Sequence, residues 1–283
     1  MSQFVYYFEP LTPHDISARA LVLSMLSGTD VAPQPIGRFI NGGALFDIEA
    51  STIRVAVTRL MKDGLLESPS RGLYRPGPKS QALTRRVQQW REVADRIVPW
   101  NGDWLAAFTS HLGRTDRKQL RARERALALA GYQEAMSGFW VRPANLARSL
   151  ADHRADLTGI GADEAIALMR VSEVAVPSDA DWPGLWSSDD LARSYTRAIK
   201  AMTDSLGRLG SVSPEDAARE TLLIGQAVIR TINFDPLLPP ELGNQQNFLR
   251  MVETMRDYNR FGRRCWAAYH AAKEREQAEE APD

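Results

Sequence analysis

The chain has 283 residues, 44% of them hydrophobic, and its 35 basic and 35 acidic side chains balance to a net charge of zero. That composition excludes a disordered chain and one coated in positive potential, and its longest apolar runs, such as 126–130 and 222–224, fall far short of the ~18 residues of a membrane span. The lone cysteine, Cys265, excludes an intrachain disulfide; together with an opening Met1-Ser2-Gln3-Phe4 that lacks the basic-then-apolar plan of a secretory signal, it leads us to expect a cytoplasmic protein.

In chain order, Ile16, Ala20, Leu21, Val22, Leu23 and Leu26 follow a helical apolar period, with Gly28 as its stop. Pro33 and Pro35 open a second helix through Ile36, Phe39 and Ile40, closed by Gly42-Gly43. A third follows Asp47-Ile48-Glu49, with Ser51 as its expected cap, Ile53, Val57, Leu60 and Met61 facing inward, and Gly64 at its end. Leu65 and Leu66 begin an extended segment, 68–72 supplies a turn, and Leu73-Tyr74-Arg75 returns. Three helices and a small hairpin predict a winged helix-turn-helix domain over 1–79.

A polar helix from about 80 to 97 serves as a linker over 80–99. Expected strands at 104–109, 131–136, 139–142 and about 165–171, with helices at 116–130 and 143–150, give a β-α-β-β-α-β order. That order predicts a ferredoxin-like middle domain over 100–176. Helices at 191–209, 214–232 and 245 to about 272 form a C-terminal helical domain over 177–283. The fold class is therefore α+β.

Charge segregates along this neutral chain. From 54 to 79 the basic residues Arg54, Arg59, Lys62, Arg71, Arg75 and Lys79 meet only Asp63 and Glu67, and the tail beyond Lys273 is acidic. Opposite the apolar stripe, the third helix presents Ser51, Thr52, Arg54, Val55, Thr58, Arg59 and Lys62, and Arg71 stands at the hairpin tip. Arginine pairs bidentately with guanine O6 and N7, while hydroxyls and lysine suit phosphates, so this set predicts an interface for double-stranded operator DNA. The plainer reading of the same residues is a solvated helix face.

Other chemistry has little footing. His14, His111, His153 and His270 are scattered, without a metal-ligand spacing, nucleophile elbow or P-loop, so we expect no catalytic centre, metal or cofactor. The alternative enzyme is a metal-dependent nuclease on the ferredoxin-like domain, with Asp103 as its nearest carboxylate. The acidic pairs Asp189-Asp190 and Glu215-Asp216 suit helix N-termini. The run Arg114, Arg117, Lys118, Arg121, Arg123 and Arg125 reads as a solvated face, or as a contact with phosphates. Trp100, Trp104, Trp140, Trp182, Trp186 and Trp266 are core anchors, or line an aryl pocket. Cys265 is packing.

The third helix and its exit, 53–66 (Ile-Arg-Val-Ala-Val-Thr-Arg-Leu-Met-Lys-Asp-Gly-Leu-Leu), resemble the winged helix of the phenylacetate-catabolon repressor (PaaX) family. Trp100-Asn101-Gly102-Asp103-Trp104 resembles that family's WDGxW motif, Gly138-Phe139-Trp140-Val141-Arg142-Pro143 its GVWxxP, and Asp235-Pro236-Leu237-Leu238-Pro239 its DPxLP. The matches come in family order. Asn101 and Phe139 depart from the pattern, and no FDxPE run follows Trp104. The resemblance implies a homodimeric repressor released from its operator by an aryl-CoA thioester such as phenylacetyl-CoA. Another CoA ester, a free aromatic acid, an unrelated metabolite, or a DNA-binding protein with no effector are the alternatives.

Overall fold

In the computed structural model, which describes residues 7–26, 32–80, 89–175, 181–208 and 211–279, the Ser17 hydroxyl opens the first helix by accepting from the Ala20 N–H at 3.2 Å. Helix α1 spans Ala18–Met25, α2 Ile36–Ala44 and α3 Ala50–Lys62. Pro35 precedes α2, where its missing N–H costs nothing. The turn between α2 and α3 bends through Asp47, whose φ of 55° lies in the left-handed region that Asp tolerates better than most side chains. The expected stop at Gly28 lies outside the described residues.

Two details of α3 differ from expectation. Glu49 holds the position before its first turn, and Ser51 lies inside the helix rather than capping it. Ile53, Val57 and Leu60 are buried, whereas Met61 is 38% exposed. At about 100° per residue, Met61 lies on the flank of the stripe formed by the other three.

Leaving α3, the chain turns at Gly64 (φ 74°) into β2 (Leu66–Ser70) and returns along β3 (Leu73–Pro76). The strand runs further than expected, to Ser70 opposite Leu73, so the turn shortens to Arg71-Gly72, with Gly72 at φ 78°. A third strand, β1 (Gln34–Pro35), pairs antiparallel with β3 in the order β1-β3-β2. Its two residues are too short for any periodicity to announce. Leu21, Val22, Phe39, Ile53, Val57, Leu60 and Leu66 form one buried cluster, joined by Ala218 and Tyr269 from the C-terminal helices.

Of the expected linker helix, residues 81–88 lie outside the described set. Ser80, where it was to start, is helical, and beyond residue 88 the chain forms two short 3-10 turns, Gln89–Glu92 and Ala94–Arg96, in place of a continuing α-helix.

Strands β4 (Trp104–Phe108), β5 (Gln133–Met136), β6 (Phe139–Pro143) and β7 (Ala167–Val171) form a second antiparallel sheet in the order β5-β6-β4-β7. Helix α4 (Arg117–Leu129) starts where the Asp116 carboxylate accepts from the N–H groups of Lys118 (2.9 Å) and Gln119 (3.1 Å). The helix expected at 143–150 is absent; helix α5 begins where it was to end and spans Leu150–Gly159. Two causes move it, one local and one distant in sequence. Ser149 and Asp152 form a reciprocal capping box, and the buried Asn145 amide donates instead to the Leu237 carbonyl at 2.7 Å. Leu105, Ala107, Leu127, Tyr132, Trp140, Leu157 and Ile166 fill the core between sheet and helices.

Three further helices follow: α6 (Ser188–Arg208), α7 (Pro214–Asn233) and α8 (Gln245–Glu279), the last running beyond its expected end. The chain divides into two compact units. One, the sheet unit, comprises Met1–Phe8, Glu92–Ala198 and Arg230–Val252; the other, the hairpin unit, comprises Glu9–Arg91, Ile199–Ile229 and Glu253–Asp283. Each of the three C-terminal helices therefore contributes to both. No helix among the described residues is long and apolar enough to cross a membrane.

Buried titratable groups make stability depend on pH in opposing ways. Burial, and then the nearby Arg142, Arg148, Arg170 and Arg96, push the His153 imidazole down to about 4, and burial with Arg38 does the same for His270. Unfolded histidines bind protons from about pH 6.5 downward, so their contribution is lost as pH falls from about 6.5 to about 4. Asp235 has the reverse sign. Burial raises its carboxyl to about 7, so the native state holds a proton that the unfolded chain sheds, and stability falls as pH rises from about 4 to about 7. Thermal melts in phosphate-free buffer should show a shallower acid-side loss in His153→Gln and a steeper one in Asp235→Asn. Parallel profiles for both variants and the parent would refute the assignment.

Candidate nucleic-acid interface

Helix α3 is held from behind. At Gly43 an added Cβ would stand 2.9 Å from the Ile53 side chain, so glycine is what lets α2 and α3 approach. The Leu45 carbonyl accepts from Arg219 of α7 at 2.8 Å, and the Asn41 carbonyl from the Tyr269 hydroxyl of α8 at 2.7 Å. Both tie down the α2 end and the turn that precedes α3.

On this frame the structure brings Ser51, Thr52, Arg54, Val55, Thr58, Arg59 and Lys62 onto the solvent side of α3, and all seven are exposed. Arg71, also exposed, takes the first position of the hairpin turn. Among the described residues, none of the side chains of Arg54, Arg59, Lys62 and Arg71 is held in an ion pair. Their acidic neighbours are engaged elsewhere: Asp63 pairs with Arg19 at 2.9 Å, and Glu67 with Arg75 at 2.6 Å. Arg75 therefore drops out of the free basic set. Thr58 spends its hydroxyl proton on the Arg54 carbonyl at 2.9 Å, leaving its oxygen as an acceptor. Val55 is 48% exposed, an apolar side chain in the middle of a polar face.

The other candidates fall elsewhere. Arg123 of the arginine-rich run is buried at 3% exposure; it pairs with Asp163 at 2.6 Å and donates to the Gly113 carbonyl, while Arg114, Arg117, Lys118, Arg121 and Arg125 stay exposed. Its solvated or phosphate-facing reading is thus corrected: Arg123 fastens α4 to the loop before β7. Asp103 is engaged by the Asn101 amide and by Arg170, both at 3.2 Å, and these hydrogen bonds hold its carboxyl below the ordinary aspartate range. Among the described residues no group of three or more His, Cys, Asp or Glu side chains is placed to share a metal ion.

Trp104 packs edge-on to Trp100 (5.2 Å) and Trp182 (5.4 Å) and stacks on Trp186 (6.0 Å), and the Trp186 indole N–H donates to the Gly131 carbonyl at 3.3 Å. Burial raises the Cys265 thiol, which leaves it a poor nucleophile.

Sequence reasoning gave Arg142 no role of its own. This fully buried arginine donates to the carbonyls of Ala130, Pro143 and Pro236 and lies over the Tyr132 ring. A small cleft near it, lined by Leu191, Tyr195, Asp235, Leu238 and Phe248 among others, has a volume of about 10 Å³, room for about one water. The Tyr195 hydroxyl donates to Asp235 there at 2.6 Å. Neither arginine had a sequence signal beyond its letter, since burial is what distinguishes them.

No family model and no curated protein matches the chain. Among solved structures, the chain is similar to the uncharacterized protein Rv0674 from Mycobacterium tuberculosis, with 23% identity, 90% of this chain and 99% of that one covered, and a TM-score of 0.64. The two share a mixed helix-and-sheet fold.

Proposed function

We propose that the chain is a DNA-binding transcriptional regulator whose N-terminal residues 1–79 form a winged helix-turn-helix and whose α3 is the recognition helix. One observation carries the reading: α3 presents Arg54, Arg59 and Lys62, with hydroxyls between them, on an exposed face that is free of ion pairs among the described residues. Exposed cations left unpaired are free to displace the counterions condensed on DNA phosphates, or to meet guanine edges. Val55 at the middle of that face suits a thymine methyl. The strand before α2 that pairs with the returning strand of the hairpin supports the winged form, with Arg71 at the wing tip. The β5-β6-β4-β7 order, with α4 and α5 after the first and third strands, supports a ferredoxin-like sheet unit.

The resemblance to the PaaX family adds the rest of the proposal. Two copies of the chain place their α3 helices in successive major grooves of an inverted repeat, about 34 Å apart. An aromatic effector such as an aryl-CoA thioester releases the operator by binding one arrangement of the helices better than the other.

Mobility shifts on the DNA upstream of the protein's own coding region test the reading. Arg54→Ala and Arg59→Ala should each weaken binding about 10- to 100-fold, the loss of one bidentate base contact, at unchanged melting temperature. Lys62→Ala should instead flatten the salt dependence by about one counterion. Parent-like binding by both arginine variants would remove α3 from the interface. A panel of aromatic acids and their CoA thioesters, added to the shifted complex, tests release.

A further inference from the structure

A short antiparallel ladder in the sheet unit joins residues 96–98 to 145–147: Ala147 donates to the Arg96 carbonyl and Val98 to the Asn145 carbonyl, both at 2.9 Å, around an Ile97–Leu146 bridge. Arg148 follows this ladder, and His153 stands one turn into α5 behind the Ser149 cap. The ladder and the cap thus bring two arginines, an asparagine and a histidine to one end of the sheet unit.

Their polar atoms are not satisfied by one another. Among the described residues, Arg96 Nε, His153 Nε2 and Asn145 Oδ1 are each buried without a hydrogen-bond partner, and His153 is only 5% exposed. Native proteins pair almost every buried polar atom, so three orphans on this ladder and the helix that follows it need an explanation. Charge points the same way. Arg148 has Asp156 and Arg170 has Asp103 as partners, Asp152 is spent on the Ser149 cap, and Arg142 is satisfied by main-chain carbonyls. Among the described residues Arg96 has no carboxylate partner. Burial and then the neighbouring Arg148 pull its guanidinium below the ordinary arginine range, and four cations, Arg142, Arg148, Arg170 and Arg96, push the His153 imidazole down, with Asp152 of the same first turn the carboxylate that interacts with it.

We propose that Arg96, Arg148 and His153 form a binding site for an oxyanion of the phosphate class. The anion would accept from Arg96 Nε and His153 Nε2, and the hydroxyl of a hydrogen phosphate would donate to Asn145 Oδ1, satisfying all three orphans. A bare carboxylate supplies the acceptors but no donor, and chloride supplies only charge. The site lies in the sheet unit and does not depend on the DNA reading: anion binding is measured without DNA, and either result can stand without the other.

The test uses the full chain labelled with ¹⁵N-histidine, in phosphate-free buffer, with inorganic phosphate, acetate or chloride added at matched ionic strength. Phosphate is expected to raise the His153 pKa by about one unit or more, because an adjacent anion favours the imidazolium, and to raise the melting temperature saturably. Acetate should act more weakly and chloride not at all; an acetate effect equal to that of phosphate would reassign the site to carboxylates and overturn the phosphate class. Arg96→Gln and Arg148→Gln should lose the thermal response, and the His153 titration of the parent decides the matter if either variant fails to fold. If phosphate moves neither His153 nor the melting temperature beyond chloride, or if a folded Arg96→Gln responds like the parent, the site does not exist.

Discussion

Replacing Arg142 by methionine is expected to lower the stability of the sheet unit by about 3 kcal/mol. The guanidinium is fully buried, and burial pulls its pKa down to about 10, still far above neutrality, so a charge is held in the interior. It is compensated by the carbonyls of Ala130, Pro143 and Pro236, which close the end of α4, the end of β6 and the segment after α7 onto one another. Methionine fills much of the volume but leaves those carbonyls without a donor, at about 1–3 kcal/mol each. Relief of the buried charge offsets part of that loss. Arg142→Lys should recover little, because a single ammonium cannot span three acceptors set for a planar fork. Denaturation followed by tryptophan fluorescence is the appropriate measurement, since Trp104, Trp182 and Trp186 belong to the same unit. An unchanged midpoint for Arg142→Met would mean that water serves those carbonyls as well as the guanidinium does.

The second large effect is expected in the hairpin unit, at Gly77. A Cβ there would stand 2.7 Å from the Gly64 carbonyl oxygen, 2.9 Å from the Leu66 carbonyl carbon and 3.1 Å from that of Leu65. All three are main-chain atoms, so no rotamer change relieves the overlap. The Gly77 N–H donates to the Leu65 carbonyl and its own carbonyl accepts from Ser80, both at 2.9 Å, so the segment cannot simply move away. Gly77→Ala should therefore cost about 3 kcal/mol, at the upper end of overpacking effects. Because the clash separates the end of β3 from the exit of α3, it should also displace Arg71 and weaken DNA binding under the proposed function. Gly37→Ala is the control, with nothing within 4 Å of the added carbon, and should be neutral or slightly stabilising. Equal midpoints for the two variants would show that the packing around Gly77 yields more easily than its geometry implies.

The motifs that carry the family resemblance are largely devices of folding. Gly138 turns β5 into β6 at φ 73°, Trp104 centres the tryptophan cluster, and Asp235 accepts from Leu237 at 2.8 Å, steadying that residue at φ 54°. They constrain the shape of the sheet unit. None of them lies on the exposed face of α3, so the family motif and the proposed contact with bases meet only in the stretch 53–66.

The α3 face was legible because a helix has a fixed period: once Ile53, Val57 and Leu60 turn inward, Arg54, Arg59 and Lys62 must turn outward, whatever surrounds them. The same local rules placed α4 and α7 to within about a residue, since caps and apolar spacing act over one or two turns. They failed where partners come from far along the chain. Asn145 is drawn off by Leu237, ninety-two positions away, and α5 starts later than its sequence suggested. Arg123 and Arg142 look like any other arginines until Asp163 and the Pro236 carbonyl close over them. Periodicity and capping are written in neighbouring residues, whereas burial of a charge depends on segments that meet only after the chain has folded.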